Sequence, residues 1–327
     1  IRCRRSYRLT PQDQVACVFF MGAPTVFEEK IHNGMEIVQA LRRVEQETGV
    51  TFSALVAGEI GGCNALEPLI ASAITGLPVV DADGMGRAFP ELQMVTFFIY
   101  DGLRPDTAAL ADAAGRTAVC TTAQTPKQLE DMFRKECIGM GCTAGVCFGP
   151  MDAEDVIRTG ILGSVSLAYL TGNKIMEARV NQIDPFQKLE EIGWTKLFEG
   201  KVVNVERITS EGFARGFLEI KELSFSENDD NLLEVNRTVP KRTMRIDFQN
   251  ENLQARIIEG VSETDWITVA LVPDLITVAE VGTARPVATE EARFGLRCCV
   301  LARAAPAALR TPTALEVVGP KAFGIKY

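Results

Sequence analysis

One histidine, His32, serves the whole 327-residue chain. Metal sites built on two histidines are thereby excluded, and a Ser-His-Asp triad has only that ring to draw on. His32 stands beside Asn33 and Gly34 on the exposed side of a predicted amphipathic helix, which is a surface position. Proton transfer is left to carboxylates, lysine, cysteine or tyrosine. Nine cysteines are an odd number for a disulfide framework and form no CxxC pair, so reduced thiols in a cytoplasmic setting are expected. Cys137, Cys142 and Cys147 recur at an interval that fits no zinc template.

Other absences narrow the function further. No run reaches the roughly 18 apolar residues of a membrane span, and Ile1–Tyr7 has no apolar centre of the secretory kind, so no membrane partner is expected. Neither GxGxxG nor GxxxxGK[ST] occurs, and no nucleotide cofactor is expected. The net charge of −9 offers no basic field to a phosphate backbone, and the cluster Arg2, Arg4, Arg5 and Arg8 is too small to reverse that. Nucleic acid is excluded as a partner on this ground.

What remains is ample material for a core. Hydrophobic residues are 46% and charged residues 24%, the balance of a globular protein rather than a disordered one. The length favours two domains. Ile31, Met35, Val38, Leu41 and Val44 form one stripe of a predicted helix over Glu28–Thr48, closed by Gly49. A predicted strand Thr51–Ala57 follows, then a turn over Gly58–Cys63. Next comes a short helix capped by Asn64 with Glu67 at its third position, then a strand from Pro78. This is a parallel crossover unit. Val15–Phe20, Met94–Tyr100, Thr117–Thr121 and Ala144–Phe148 read as strands, and Pro126–Cys137 and Gly163–Val180 as helices. Beyond Gly200 the pattern becomes β-rich: Lys201–Ile208, Phe213–Ile220, Met244–Phe248, Trp266–Leu271 and Arg297–Ala302. The expected fold is an α/β domain with a mainly parallel sheet over 1–185, then a mainly-β domain over 186–327, the boundary falling within Asn181–Gly200.

Ligands bind beyond the carboxyl ends of parallel strands, and the crossover unit delivers Glu59 and Asp81 to that edge. The segment Asp81–Glu91 adds Asp83, Arg87 and Glu91 on a flexible loop. Two readings of the acids stand: oxygen ligands for a divalent cation at Asp81 and Asp83 with Glu59 or Glu91, or an ion pair of Arg87 with one aspartate. The backbone of Gly61 and Gly62, before a helix, can stabilise an anion, or the glycines simply serve a sharp turn. Cys63 near that helix start is either an activated thiol or a small buried residue. In the second half, Asn250, Glu251 and Asn252 follow a strand, where they either line a ligand cleft or form a turn.

Taken in order, seven blocks resemble the S-methyl thiohydantoin desulfurase-like family. They are Met21–Val26, Glu59–Asn64, Pro78–Met94, Gly212–Gly216, Phe248–Leu253, Val272–Leu275 and Gly319–Gly324. The resemblance implies an N-terminal α/β and a C-terminal β domain, and an association with hydantoinase and oxoprolinase-type proteins of cyclic amide metabolism. The implied reaction is hydrolytic desulfurisation of a small five-membered cyclic amide. Water is activated by a carboxylate from Glu59, Asp81 or Asp83, with or without a metal, and charge is stabilised by Arg87 or the Gly61-Gly62 amides. Asn64, Glu91, Asn250, Glu251 and Asn252 are the further substrate-binding candidates. The other reading is a non-catalytic partner or ligand-binding subunit of such an assembly, and a homo-oligomer is expected in either case. The family's Gly-rich turn of the GTGGGG kind, ahead of the Met21 block, has no counterpart here, so one supporting element of the site is expected to be missing.

Overall fold

The computed structural model describes residues 3–4, 9–210, 213–222, 242–258 and 265–326. Arg2, Arg5, Arg8 and Gly212 lie outside them. The first region is built on strands β1 (Cys3–Arg4), β2 (Gln14–Gly22), β3 (Ala54–Ala57), β4 (Val79–Asp83), β5 (Ala108–Ala111), β6 (Thr117–Cys120), β7 (Thr143–Asp152) and β8 (Ile161–Leu162). They form one sheet in the order β1-β4-β3-β2-β7-β5-β6, with β8 beside β4. The neighbours β1, β4, β3 and β2 run parallel, while β7 joins β2 antiparallel and β5 and β6 continue that sense. Val15 to Phe19 in β2 and all of β3 are buried, as expected of strands covered on both faces.

Helices α1 (Pro24–Glu29), α2 (Glu36–Thr48), α3 (Glu67–Thr75), α4 (Thr96–Ile99), α5 (Pro126–Gly139), α6 (Ala153–Thr159) and α7 (Ser164–Val180) accompany this sheet. The apolar stripe of α2 supplies Ile37, Val38, Leu41 and Val44 to a core with Leu55, Val79 and Ala109. Each such side chain contributes about 1.5–3 kcal/mol by leaving water.

Three local expectations fail, each for a physical reason. The helix expected over Glu28–Thr48 is two helices, because Gly34 takes φ +76° and Asn33 turns the chain by accepting from the Met35 amide at 2.7 Å. His32 therefore leaves the helix surface. Its ring lies 4.3 Å from that of Phe27 and 5.0 Å from that of Phe20, with Nδ1 3.3 Å from Glu36 Oε1. Met94–Tyr100 is not a strand but a 3-10 turn followed by α4. Phe97 and Phe98 are buried there, and a short apolar run reads alike for a buried strand and a buried helix. Asn64 does not cap α3, whose N-cap is Leu66.

The second region begins with α8 (Pro185–Glu190), then strands β9 (Thr195–Ser210), β10 (Phe213–Glu222), β11 (Thr243–Gln249), β12 (Glu251–Ile258), β13 (Ile267–Leu271), β14 (Leu275–Glu280), β15 (Pro286–Val287) and β16 (Arg297–Arg303). Their order is β13-β12-β11-β10-β9-β16-β14-β15, and the described pairs are antiparallel. Met244, Ile246 and Phe248 alternate inward along β11 and join Leu218, Ile220, Val278 and Val300 in a second core. Helix α9 (Pro312–Val318) comes near the end of the chain. By contacts the chain divides into a unit of Ile1–Leu170, Glu211–Phe213 and Ala305–Phe323 and a unit of Thr171–Ser210, Ala214–Ala304 and Gly324–Tyr327. Among the described residues no helix is long and apolar enough to cross a membrane.

Candidate functional site

Strands β3 and β4 end side by side, with Ala57 opposite Asp83, while on its other side Ala57 faces Val18 within β2. The chain leaving each end is tied to its neighbour: the Gly58 amide donates to Val18 O at 3.2 Å and the Gly84 amide to Gly58 O at 3.1 Å. A Cβ on Gly84 would sit 2.8 Å from Gly58 O and 3.0 Å from the Phe97 ring, so only glycine lets these two ends approach. Glu59 and Asp83 are thereby brought together. Both act on the buried thiol of Cys17 in β2, which burial pushes well up, with smaller contributions from Cys147, Asp83 and Glu59.

Asp83 is fully buried. Its Oδ2 accepts from the amides of Met85 at 2.9 Å and Gly86 at 2.6 Å, so the carboxylate shapes the turn that follows β4. Burial pushes its pKa from 3.8 up to about 6, against the opposing pull of the Met85, Ser164, Gly86 and Ile60 groups that face it. Oδ1 of Asp83 and the Ser164 hydroxyl find no partner at hydrogen-bonding geometry. Asp81, two residues earlier and on the same face of β4, accepts from the Ser166 amide at 2.9 Å and the Ser166 hydroxyl at 2.6 Å. Both aspartates thus meet the first turn of α7, where free amides and the helix dipole favour negative charge.

Glu59 is half-buried, and its two oxygens are held from different sides. Asn64 Nδ2 donates to Oε1 at 2.5 Å and the Phe89 amide to Oε2 at 3.2 Å. Asn64 is itself fixed to the end of β2, accepting from the Phe20 amide at 2.7 Å and donating to Phe20 O at 3.1 Å. That is the work of the residue expected to cap a helix. Gly61 and Gly62 are exposed beside Glu59, and a Cβ on Gly62 would meet nothing within 4 Å.

The segment after β4 is anchored rather than flexible. Met85, Arg87 and Phe89 are buried, Arg87 Nε donates to Ala88 O at 3.2 Å, and its guanidinium lies 5.1 Å from the Phe89 ring. Further along, Arg134 of α5 donates to Pro90 O at 2.9 Å while the Leu92 amide donates to Glu130 of the same helix at 2.9 Å. Glu91 turns toward Lys127 at 3.4 Å and Gln93. Cys63 is no activated thiol: burial, then Glu67 and Glu59, push it up to about 12.

Asn250, Glu251 and Asn252 lie in the other unit, at the β11–β12 hairpin. Asn250 takes φ +56°, its amide donates to Ala214 O at 2.6 Å, and its Oδ1 accepts from the Ala214 amide at 2.8 Å. Asn252 donates to Ile276 O at 3.1 Å. These amides hold backbone within their own sheet, and Glu251 is half-buried at the hairpin. Among the described residues no three His, Cys, Asp or Glu side chains gather as metal ligands. The donors around Asp81 and Asp83 are amides and hydroxyls that suit bare carboxylates, so the divalent-cation reading finds no fitting ligand set here. Sequence reasoning missed Ser164 and Ser166, although serines opening a helix after Gly163 are the ordinary sign of a capped start.

Comparison with known proteins agrees with the arrangement of the fold. The N-terminal domain model described as S-Me-THD-like matches residues 1–122, and the corresponding C-terminal domain model matches residues 124–327. A crystal structure of a protein from Chromobacterium violaceum superposes with a TM-score of 0.73 at 20% identity, covering 100% of this chain and 85% of that one. At that identity the likeness shows the fold. No curated protein matches the chain.

Proposed function

The chain belongs to the S-Me-THD-like family, and from that premise we propose that it hydrolyses a small five-membered cyclic amide of the S-methyl thiohydantoin type. One observation carries the reading: Glu59, held by Asn64 and Phe89, stands at the carboxyl edge of the parallel strands beside the open Gly61-Gly62 turn. Ligands of parallel sheets bind at that edge.

Glu59 takes a proton from water as the oxygen adds to the thioimidate carbon, and the ring nitrogen gains the electron pair of the C=N bond. The Gly61 and Gly62 amides offset that developing charge until the nitrogen receives the proton. The C–S bond then breaks, the added oxygen becomes a carbonyl, and methanethiol leaves with the hydroxyl proton. Asp81, Asp83 and Arg87 are positioning residues. They fix the start of α7 and the segment that presents the Phe89 amide.

The test is methanethiol release from an S-methyl thiohydantoin by purified protein. Glu59→Gln should lower kcat by roughly 10²–10⁴-fold, the ordinary worth of a general base, with folding retained. Full activity in that variant would remove Glu59 from the reaction. No release by the wild type would favour a non-catalytic subunit of a hydantoinase or oxoprolinase-type assembly.

A further inference from the structure

In the second sheet three side chains of different chemistry meet at one oxygen atom. Lys196 Nζ donates to Glu199 Oε2 at 2.5 Å, and the Cys299 thiol donates to the same Oε2 at 3.5 Å. Strand register brings them there. Glu199 of β9 stands directly opposite Cys299 of β16, so their side chains share a face. One step along, the register shifts: Val300 faces Phe198 but Leu301 faces Lys196, which leaves Leu197 as an extra residue. An unbroken strand would send Lys196 and Glu199, three positions apart, to opposite faces. The bulge returns Lys196 to the face of Glu199 and Cys299.

The thiol itself is fully buried among Phe186, Leu189, Ala279 and Leu301, while Lys196 and Glu199 are partly exposed. Burial pushes the thiol up to about 12, with Lys196 pulling the other way, so it keeps its proton. Burial also works against the charge of Lys196, but Glu199 and Cys299 hold its pKa above the ordinary value. Nitrogen and sulfur thus each feel the other, with one carboxylate between them. The adjacent Cys298 turns to the opposite face, into the core of Leu218 and Ile220, and takes no part.

We infer that this cluster is a modification site, at which dioxygen joins Lys196 and Cys299 through an N–O–S bridge and Glu199 takes the proton that the ammonium must lose. Dioxygen is small and apolar, so it reaches a thiol in an apolar interior that a bulky or charged reagent does not. One of its oxygen atoms forms the S–O and N–O bonds of the bridge. The other takes the thiol hydrogen and one amine hydrogen and leaves as water. Sulfur and nitrogen each lose two electrons and dioxygen gains four, so no further reagent enters. The flexible four-carbon stem of lysine supplies the reach. The bridge ties β9 to β16 across the long stretch of chain between them, which restricts the unfolded state and stabilises the sheet. In the structure both cysteines are free thiols, the form from which the bridge starts. This inference does not rest on the proposed hydrolysis.

The test is mass spectrometry of the full chain, purified without oxygen and then divided between argon and air-saturated buffer. In air the wild type should gain a species heavier by one oxygen and lighter by two hydrogens, nearly absent under argon. Trypsin should leave the Cys298–Arg303 peptide joined to one in which Lys196 is uncleaved, and excess dithiothreitol should release it. Lys196→Arg and Cys299→Ser should abolish the species, and Glu199→Gln should lower its rate of formation by roughly 10²-fold, as loss of a proton acceptor does. Cys298→Ser should leave it unchanged. The bridged wild type should melt several degrees higher than the same sample after reduction. Because the joined peptide is read in the wild type, the answer does not wait on any variant folding. No joined peptide in air, or one that survives Lys196→Arg or Cys299→Ser, would overturn the inference. So would oxidation of Cys299 to a sulfinic or sulfonic acid with Lys196 unlinked.

Discussion

Two sheets of eight strands treat charge in opposite ways. Among the described residues the first region buries Glu36, Asp81, Asp83, Arg87, Asp112 and Glu130, whereas the buried polar groups of the second are Asn250, Asn252, Gln254 and Thr289, all neutral. In the second region charges stay near the surface, as where Asp247 pairs with Arg245 of its own strand at 3.0 Å and with Arg256 of the neighbouring strand at 2.6 Å. Removing a carboxylate from water is costly, so sequences keep it buried where its geometry is needed. In the first region that need is visible: Asp83 organises a turn, Asp81 a helix start, and Glu130 the far end of the same segment. The second region uses amide side chains for the equivalent task of fixing backbone.

The contrast can be broken in four places. The largest effect is expected where the site rests on the core: Phe97→Ala, beneath Gly84, should cost about 3–5 kcal/mol and lower the thermal midpoint by several degrees. Next is the buried charge itself. Asp83 has a folded pKa of about 6 against 3.8 for the free group, so the native state holds a proton that the unfolded chain has lost between those values. Its contribution therefore declines as pH rises from about 4 to 6 and is constant above. Asp83→Asn should flatten that part of the denaturation profile by at most about 3 kcal/mol, and an unchanged profile would detach Asp83 from it.

In the second region Asn250→Ala should cost about 1–3 kcal/mol in urea unfolding, by stranding the Ala214 amide and forcing a Cβ-bearing residue without the amide cap into positive φ. The cost should not depend on pH, in contrast to Asp83. Smallest is Asp247→Asn, at about 0–1 kcal/mol and reduced further by salt, as half-exposed ion pairs behave. A larger, salt-insensitive loss there would erase the distinction between the regions.

Much of the fold was legible in one dimension. The strand at Val15–Phe20, the helix at Pro126–Cys137 and the β-rich second half follow from period and turn chemistry, and each is found. Strand direction read from the sequence paired Glu59 with Asp81 at one edge, but β4 runs on to Asp83, and it is Asp83 that stands opposite the end of β3. The partners of these acids were not legible. Asn64 binds across 44 residues to Phe20 and Asp81 across 85 to Ser166, and no local pattern encodes a contact of that span. His32 was misread because the chain is extended at Lys30 and turns at Gly34 between α1 and α2, so that no helix carries it.

The sequence by itself determined the two kinds of region and the family, because these rest on hydrophobic period, chain direction and ordered motifs. Only the tertiary structure decided which carboxylate stays half-open and which are locked onto a helix start. Those outcomes depend on what packs against each group from distant parts of the chain, and burial is a property of the neighbours rather than of the residue.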